Sequence, residues 1–323
     1  MRNNNILETI GNTPLVQLSR VTKGIKATIL AKLEYFNPGG SIKDRMVVYM
    51  LREAEKEGLL RPGGTIVENT SGNTGIALAM YGAAKGYKVI LTVFNKISKE
   101  KLGLLKALGA EVVVCPTDVP PDSKDSYYEV AKRIAKETPN SYYLNQYHSV
   151  KNIEAHYKTT APEIWAQTDG KVDYIVIGAG TGGTISGVGK FFKERKPEAK
   201  IIGVDPIGSI YYNWFKHKKI VESHIYLVEG IGEDMLCGAM DFSVVDDMIR
   251  VSDKESFLMA RRLLKEEGIF AGGSSGAAVW ASLKVAKDLP ENKEVVTILP
   301  DGGHNYLSKL YNDEWMKEKG FIK

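Results

Sequence analysis

The sequence has 323 residues, 43% hydrophobic and 25% charged, which is enough chain for about two globular domains. Its formal net charge of +4 comes from 43 basic and 39 acidic residues spread along the chain, which argues against nucleic acid or an anionic membrane as the partner. The two cysteines and five histidines give neither a disulfide framework nor a metal-binding pair, so no metal is expected. Because the chain has no signal-peptide core and no apolar run of about 18 residues, we expect a soluble cytoplasmic protein.

Strand-length apolar runs alternate with helix-period segments after an N-terminal arm at residues 1–12. This alternation predicts an α/β fold with largely parallel sheets. The clearest strands are at residues 88–94, 111–115 and 174–177. Residues 156–167 are predicted as one helix and residues 253–267 as one amphipathic helix. The least regular stretch is 211–238, which contains a flexible acidic loop at 229–234.

The stretch at residues 39–45, GGSIKDR, joins a broken apolar run to a helical pattern. Ser41 is a good helix N-cap, and Asp44 suits the positive end of the helix dipole. Lys43 then lies in the first turn, where the dipole should lower the pKa of the lysine and favour the neutral amine that Schiff-base and general-base chemistry require. On this stretch alone, a capped helix with a solvated lysine is the simpler interpretation.

A loop at residues 178–184, GAGTGGT, follows a buried strand and precedes a helix. Its small residues and backbone N–H groups suit a phosphate. It also satisfies G-x-G-x-x-G, and Asp205 ends the next strand, which is the dinucleotide fingerprint of an NAD-dependent dehydrogenase. A tight turn with glycines for packing is the structural alternative.

Two more small-residue loops argue against a dinucleotide. Residues 70–75, TSGNTG, offer an amide and hydroxyls that suit a carboxylate or the edge of a small ring, and residues 272–276, GGSSG, offer Ser274. For each loop alone, a capped helix start is an equally simple interpretation.

Together these four motifs, in this order and spacing, resemble the pyridoxal-phosphate-dependent cysteine synthase and cystathionine β-synthase family over about residues 5–320. The resemblance implies fold type II, like the tryptophan synthase β chain, with two open twisted mainly parallel sheet domains. The smaller, mobile domain would be 37–148, and the larger would comprise 13–36 and 149–323.

The resemblance also implies a role for each motif position. Lys43 would hold pyridoxal 5'-phosphate covalently and shuttle the α-proton, while Ser274 would bond the ring nitrogen. A serine there leaves that nitrogen uncharged, which weakens the ring as an electron sink and suits β-elimination. The phosphate would be held by Gly180, Thr181, Gly182, Gly183 and Thr184, the ring hydroxyl by Asn73, and the substrate by Thr70, Ser71, Asn73, Thr74, Gln146 and Gly230.

The expected reaction is β-replacement or β-elimination on serine, cysteine or O-acetylserine through an aminoacrylate, with a thiol, sulfide or water as nucleophile. Cysteine as the first substrate would release hydrogen sulfide. The resemblance implies a homodimer. Two alternative functions remain, an NAD-dependent dehydrogenase and a non-catalytic family member that binds a protein partner.

Within the family, residues 205–210, 228–232 and 305–309 are closer to the cystathionine β-synthase branch. Neither the haem-binding extension nor the C-terminal regulatory domains of animal members is expected.

Glu233 stands where animal members carry tyrosine, which leaves the preference for homocysteine open. Glu233 or Asp234, on a mobile loop, would act as general base for the incoming nucleophile, and the alternative is a solvated loop charge.

Overall fold

The computed structural model describes residues 2–323 except 71, 96, 98, 117, 118 and 121, and the side chains of residues 99 and 100 are also not described. The chain divides into two compact units. The first unit comprises Met1–Ile10 and Asn37–Asn152, and the second comprises Gly11–Phe36 and Ile153–Lys323.

The first unit is built on a parallel sheet, which over the described residues has four strands in the order β5-β4-β3-β6. The strands are β3 (Thr65–Asn69), β4 (Lys88–Phe94), β5 (Glu111–Cys115) and β6 (Ser141–Tyr143). The helices are α1 (Lys43–Lys56), α2 (Asn73–Lys85), α3 (Lys99–Ala107), α4 (Tyr127–Glu137) and the start of α5 (Val150–Lys158), with a 3-10 turn at Ile6–Thr9. In α1, Met46, Val47, Met50 and Leu51 recur at helical spacing and are buried, so one face of this helix packs into the core.

The second unit is built on a sheet that, over the described residues, has six strands in the order β1-β2-β10-β7-β8-β9. All neighbours are parallel except β1 and β2. The strands are β1 (Leu15–Gln17), β2 (Thr28–Leu33), β7 (Tyr174–Gly178), β8 (Lys200–Pro206), β9 (Asp247–Val251) and β10 (Glu294–Leu299). The helices are α6 (Thr160–Gln167), α7 (Gly183–Arg195), α8 (Tyr211–His217), α9 (Asp253–Arg262), α10 (Gly273–Ala286) and α11 (Asp313–Glu318), with 3-10 turns at Glu34–Phe36, Phe242–Val244 and Gly303–Tyr306.

Two of the small-residue loops, at residues 70–75 and 178–184, follow the carboxyl ends of parallel strands. The loop after β3 leads into α2, and the loop after β7 leads into α7. Open parallel sheets bind ligands at the carboxyl ends of their strands. The α/β fold with mainly parallel sheets, predicted from the alternation of patterns, is therefore confirmed.

Two segment predictions were wrong in detail. The single helix expected over 156–167 is two helices, α5 and α6, because the backbone turns at Thr159. Pro162 lies in the first turn of α6, where its missing N–H leaves no helical hydrogen bond unmade. The helix expected over 253–267 changes to a π-helical turn at Leu263–Glu267. The stretch at 211–238 is irregular, as predicted, beyond the seven residues of α8.

Over the described residues, no helix is both long and apolar enough to cross a membrane. Nor do the described residues contain a group of three His, Cys, Asp or Glu side chains that could hold a metal ion.

Candidate active site

Lys43 is the first residue of α1 and is half-buried. Its backbone N–H donates to the hydroxyl oxygen of Ser41 at 3.2 Å, and the Asp44 carboxylate accepts from the N–H of Gly39 at 2.6 Å. Ile42 directly precedes the helix, but it has helical backbone angles and its side chain makes no capping hydrogen bond, so the capping hydroxyl is that of Ser41, as predicted. The lysine stands at the positive end of the helix dipole.

The predicted carboxylate-binding side chains of the first unit lie at neighbouring strand ends. The Thr74 hydroxyl, in the first turn of α2, donates to Gln146 Oε1 at 2.8 Å, and both side chains are buried. Asn73 begins α2, and Thr70 Oγ1 accepts from the N–H of Gly72 at 3.3 Å. Because β3 and β6 are parallel neighbours, the segments that follow them meet at the same sheet edge.

One predicted residue of this loop, Ser71, lies outside the described residues. The next residue, Gly72, is the N-cap of α2. The role expected for Ser71 in substrate binding therefore stays a prediction.

Behind Gln146 lies a buried carboxyl group that the sequence reasoning missed. Glu68 has no exposed surface, and its Oε1 and Oε2 accept from Gln146 Nε2 at 3.3 Å and from the N–H of Asn145 at 2.8 Å. Burial raises the pKa of this carboxyl group to about 8, although its hydrogen bonds act in the opposite direction. The available sequence signal was an acidic residue in the short apolar run at residues 65–68, and the structure shows that this strand is wholly buried.

The buried Glu68 gives a prediction for the pH dependence of stability. Because its pKa is above the ordinary 4.5 in the folded protein, the folded state keeps a proton that the unfolded state releases. The free energy of unfolding should therefore fall as the pH rises from about 4.5 to about 8, by about 1.4 kcal/mol per unit of pKa difference. In urea unfolding at a series of pH values, Glu68→Gln should flatten this slope.

The matched control is Glu111→Gln, which removes an exposed carboxylate from β5 and should leave the slope as in the unchanged protein. Equal slopes for Glu68→Gln and the unchanged protein would contradict the prediction.

The glycine loop of the second unit, residues 178–184, leads into α7 and packs closely against residues 230 and 240. Gly182 has a φ of +92°, and a Cβ on it would lie 2.7 Å from the Met240 backbone nitrogen. A Cβ on Gly180 would lie 2.6 Å from the Gly230 carbonyl oxygen. The loop backbone is therefore packed where no side chain fits. The start of α7, at the positive end of its helix dipole, and the nearby hydroxyls of Thr181 and Thr184 have the chemistry that binds a phosphate group.

A second helix start carries Ser274, the predicted partner of the ring nitrogen. Ser274 lies in the first turn of α10 and is only 3% exposed. Among the described residues, the buried hydroxyl without a hydrogen-bond partner at this helix start is that of the neighbouring Ser275. The hydroxyl of Ser274 can donate or accept, which is the chemistry a cofactor ring nitrogen requires, and its role there stays a prediction.

The acidic loop packs directly on the glycine loop. The N–H of Gly232 donates to the Ala179 carbonyl oxygen at 2.7 Å, and Glu229 pairs with Lys309 at 2.6 Å. Glu233 is half-buried, and Asp234 is exposed. The structure therefore holds 229–232 by backbone and ion-pair contacts and places the two candidate bases just beyond them.

Asp205, the acidic residue of the dinucleotide fingerprint, makes a structural hydrogen bond at the start of α8. It has no exposed surface, and its Oδ2 accepts from the N–H of Tyr212 at 2.8 Å, at the start of α8. Burial raises the pKa of this carboxyl group to about 6. A carboxylate that stabilises a helix start inside the protein is not available to a ribose hydroxyl.

Comparison with known proteins identifies the family. The profile of the pyridoxal-phosphate dependent enzymes matches residues 6–301. Cystathionine beta-synthase of Apis mellifera is 50% identical over 320 residues, covering 98% of this chain and 63% of that protein. The enzyme of Rattus norvegicus is 49% identical, covering 98% and 57%. The chain thus spans about 60% of the length of these relatives.

A shorter relative and a solved structure match over nearly their whole length. Cysteine synthase 1 of Emericella nidulans is 40% identical over 322 residues, covering 98% of this chain and 87% of that protein. A crystal structure of O-ureido-L-serine synthase, 36% identical, superposes with a TM-score of 0.89 and covers 98% of this chain and 100% of that one. The comparisons do not support the dehydrogenase alternative. The chain belongs to the pyridoxal-phosphate dependent enzymes, with the fold type II architecture and the cofactor that its motifs predicted.

Proposed function

We propose that the protein catalyses β-replacement on an amino acid derived from serine, as a cystathionine β-synthase or a cysteine synthase does. The observation that carries the proposal is the set of relatives that match 98% of the chain. The products in their names, cystathionine, cysteine and O-ureido-L-serine, share one skeleton. Each is an alanine with sulfur or oxygen bonded to its β-carbon.

The residues of this chain divide the work between cofactor and substrate. When bound, pyridoxal phosphate supplies an electron sink that makes the α-proton of the amino acid acidic. Lys43 holds the cofactor covalently and then accepts and returns that proton. Ser274 offers the ring nitrogen a neutral partner. Residues 180–184 bind the phosphate in this proposal, and Asn73 binds the ring hydroxyl. The substrate is bound by Thr70, Ser71, Asn73, Thr74, Gln146 and Gly230.

A product assay tests the proposal. Serine, O-acetylserine and cysteine are each supplied with and without sulfide, homocysteine or cysteine. The amino-acid products are separated and identified by their molecular masses. We expect at least one pair to give a β-substituted alanine, and cysteine as donor to release hydrogen sulfide. Oxidation of hydroxy acids as the only activity would contradict the assignment, and turnover of any pair excludes a purely protein-binding role.

Asp234 is our proposed base for the incoming nucleophile, with Glu233 as the alternative. The exposed carboxylate of Asp234 follows the segment that packs on the phosphate loop. Asp234→Asn should leave release of the β-substituent unchanged and slow product formation by about 10²-fold or more. Single-turnover measurement of both steps separates them.

The control is Asp169→Asn, which removes an exposed carboxylate from a turn elsewhere in the second unit and should change neither step. Unchanged product formation in Asp234→Asn, with slowing in Glu233→Gln instead, would transfer the role to Glu233.

We further propose a cytoplasmic homodimer. The composition supports the location, and the resemblance to this family supports the dimer. We propose residues 37–148 as the mobile domain that carries the substrate-carboxylate residues, and 13–36 with 149–323 as the domain that carries the phosphate loop.

A further inference from the structure

His156 connects two helix starts in the second unit. It lies on α5, is 2% exposed, and its ring nitrogens reach two hydroxyls. Nδ1 lies 2.8 Å from Oγ1 of Thr160, the first residue of α6, and Nε2 lies 3.2 Å from Oγ1 of Thr184, in the first turn of α7. The imidazole therefore bridges a buried hydroxyl and a hydroxyl of the phosphate loop.

Close packing fixes this bridge. A Cβ on Gly187 of α7 would lie 2.8 Å from the Tyr157 backbone nitrogen and 2.9 Å from His156 Cβ. The backbones of α5 and α7 consequently touch, one turn after Thr184, which leaves the ring little freedom to turn away. The arrangement is built by three helices rather than by one flexible side chain.

The bridge can run in two directions. A neutral imidazole has one N–H donor and one acceptor nitrogen, whereas a hydroxyl both donates and accepts. If the Thr160 hydroxyl donates to Nδ1, then Nε2–H donates to Thr184 Oγ1, and the Thr184 hydrogen is left for another acceptor. If the direction is reversed, Thr184 donates to Nε2 and has no hydrogen for an anion.

We propose that His156 is a positioning residue that orients the Thr184 hydroxyl as a hydrogen-bond donor to the cofactor phosphate. A phosphate dianion at the start of α7 only accepts, so it selects the first direction. This inference rests on the proposed function, because it requires the phosphate to lie against residues 180–184. His156 itself touches neither cofactor nor substrate.

Two isosteric variants separate this role from simple core packing. In His156→Gln the side-chain amide reaches the position of Nε2 and keeps a donor toward Thr184, whereas in His156→Asn the amide reaches only the position of Nδ1. We expect His156→Asn to weaken binding of pyridoxal phosphate to the apoprotein about 10-fold and to shift the phosphorus NMR signal of the bound cofactor. His156→Gln should keep affinity within about threefold and leave the signal nearly in place.

Thr184→Val closes a double-mutant cycle. If His156 acts through Thr184, then Thr184→Val should lose about as much affinity as His156→Asn, and the double variant should lose little more. Additive losses, or equal losses in His156→Asn and His156→Gln, would overturn the proposal. Should His156→Asn not fold, Thr160→Val with Thr184→Val forms the same cycle at the other end of the bridge. A wild-type protein that binds no pyridoxal phosphate would instead contradict the proposed function.

Discussion

Replacing Lys43 by alanine is expected to lower turnover by about 10³-fold or more. The residue has two roles in the proposed reaction, covalent attachment of the cofactor and transfer of the α-proton, and positioned proton transfer alone contributes about 10²- to 10⁴-fold. Steady-state product formation measures the loss. The visible absorbance that comes from the covalently attached cofactor should disappear in the same variant.

Lys56→Ala is the matched control. Lys56 is the last residue of the same helix and is exposed, so its loss should leave turnover within about twofold. Lys43→Ala with more than about a tenth of the original turnover would contradict the assignment, because a group other than Lys43 would then have to transfer the α-proton.

Replacing Gly182 by alanine should both destabilise the protein and weaken cofactor binding. The new Cβ would lie 2.7 Å from the Met240 backbone nitrogen, and the φ of +92° is unfavourable for any residue with a side chain. Overpacking and backbone strain together cost about 2–5 kcal/mol, which corresponds to a fall in Tm of roughly 5–15 °C. Because the loop must shift, affinity for pyridoxal phosphate should fall by at least about 10-fold.

Gly268→Ala provides the control that separates strain from overpacking. Gly268 also has a positive φ, +70°, but a Cβ there meets nothing within 4 Å. Its Tm should fall by only a few degrees, about the cost of the backbone conformation alone. Equal effects of the two substitutions, measured by thermal unfolding and cofactor titration, would show that close packing at Gly182 does not shape the loop.

The elements that local patterns specify were predictable from the sequence. Strands β4 and β5 have the predicted bounds because each is a short apolar run between glycine or polar stops. The starts of α2, α7 and α10 follow small-residue loops, which only a few backbone conformations satisfy. These loops also carried the recognition of the family.

The parts that depend on distant partners were not predictable. Glu68 meets Gln146 across 78 positions of sequence, and His156 meets Thr184 across 28, so no local pattern marks either contact. The fingerprint that ends at Asp205 shows the converse case. The pattern is locally complete, and only the fold shows that its carboxylate binds the start of α8.

The mass of the Lys43 peptide tests the central claim most directly. The purified protein, loaded with pyridoxal phosphate, is treated with borohydride to make the covalent bond permanent, then digested and analysed by mass spectrometry. The account predicts one modified peptide, the one that contains Lys43, with the mass of a reduced pyridoxal phosphate added. An unmodified Lys43 peptide, or the modification on a different lysine, would contradict it.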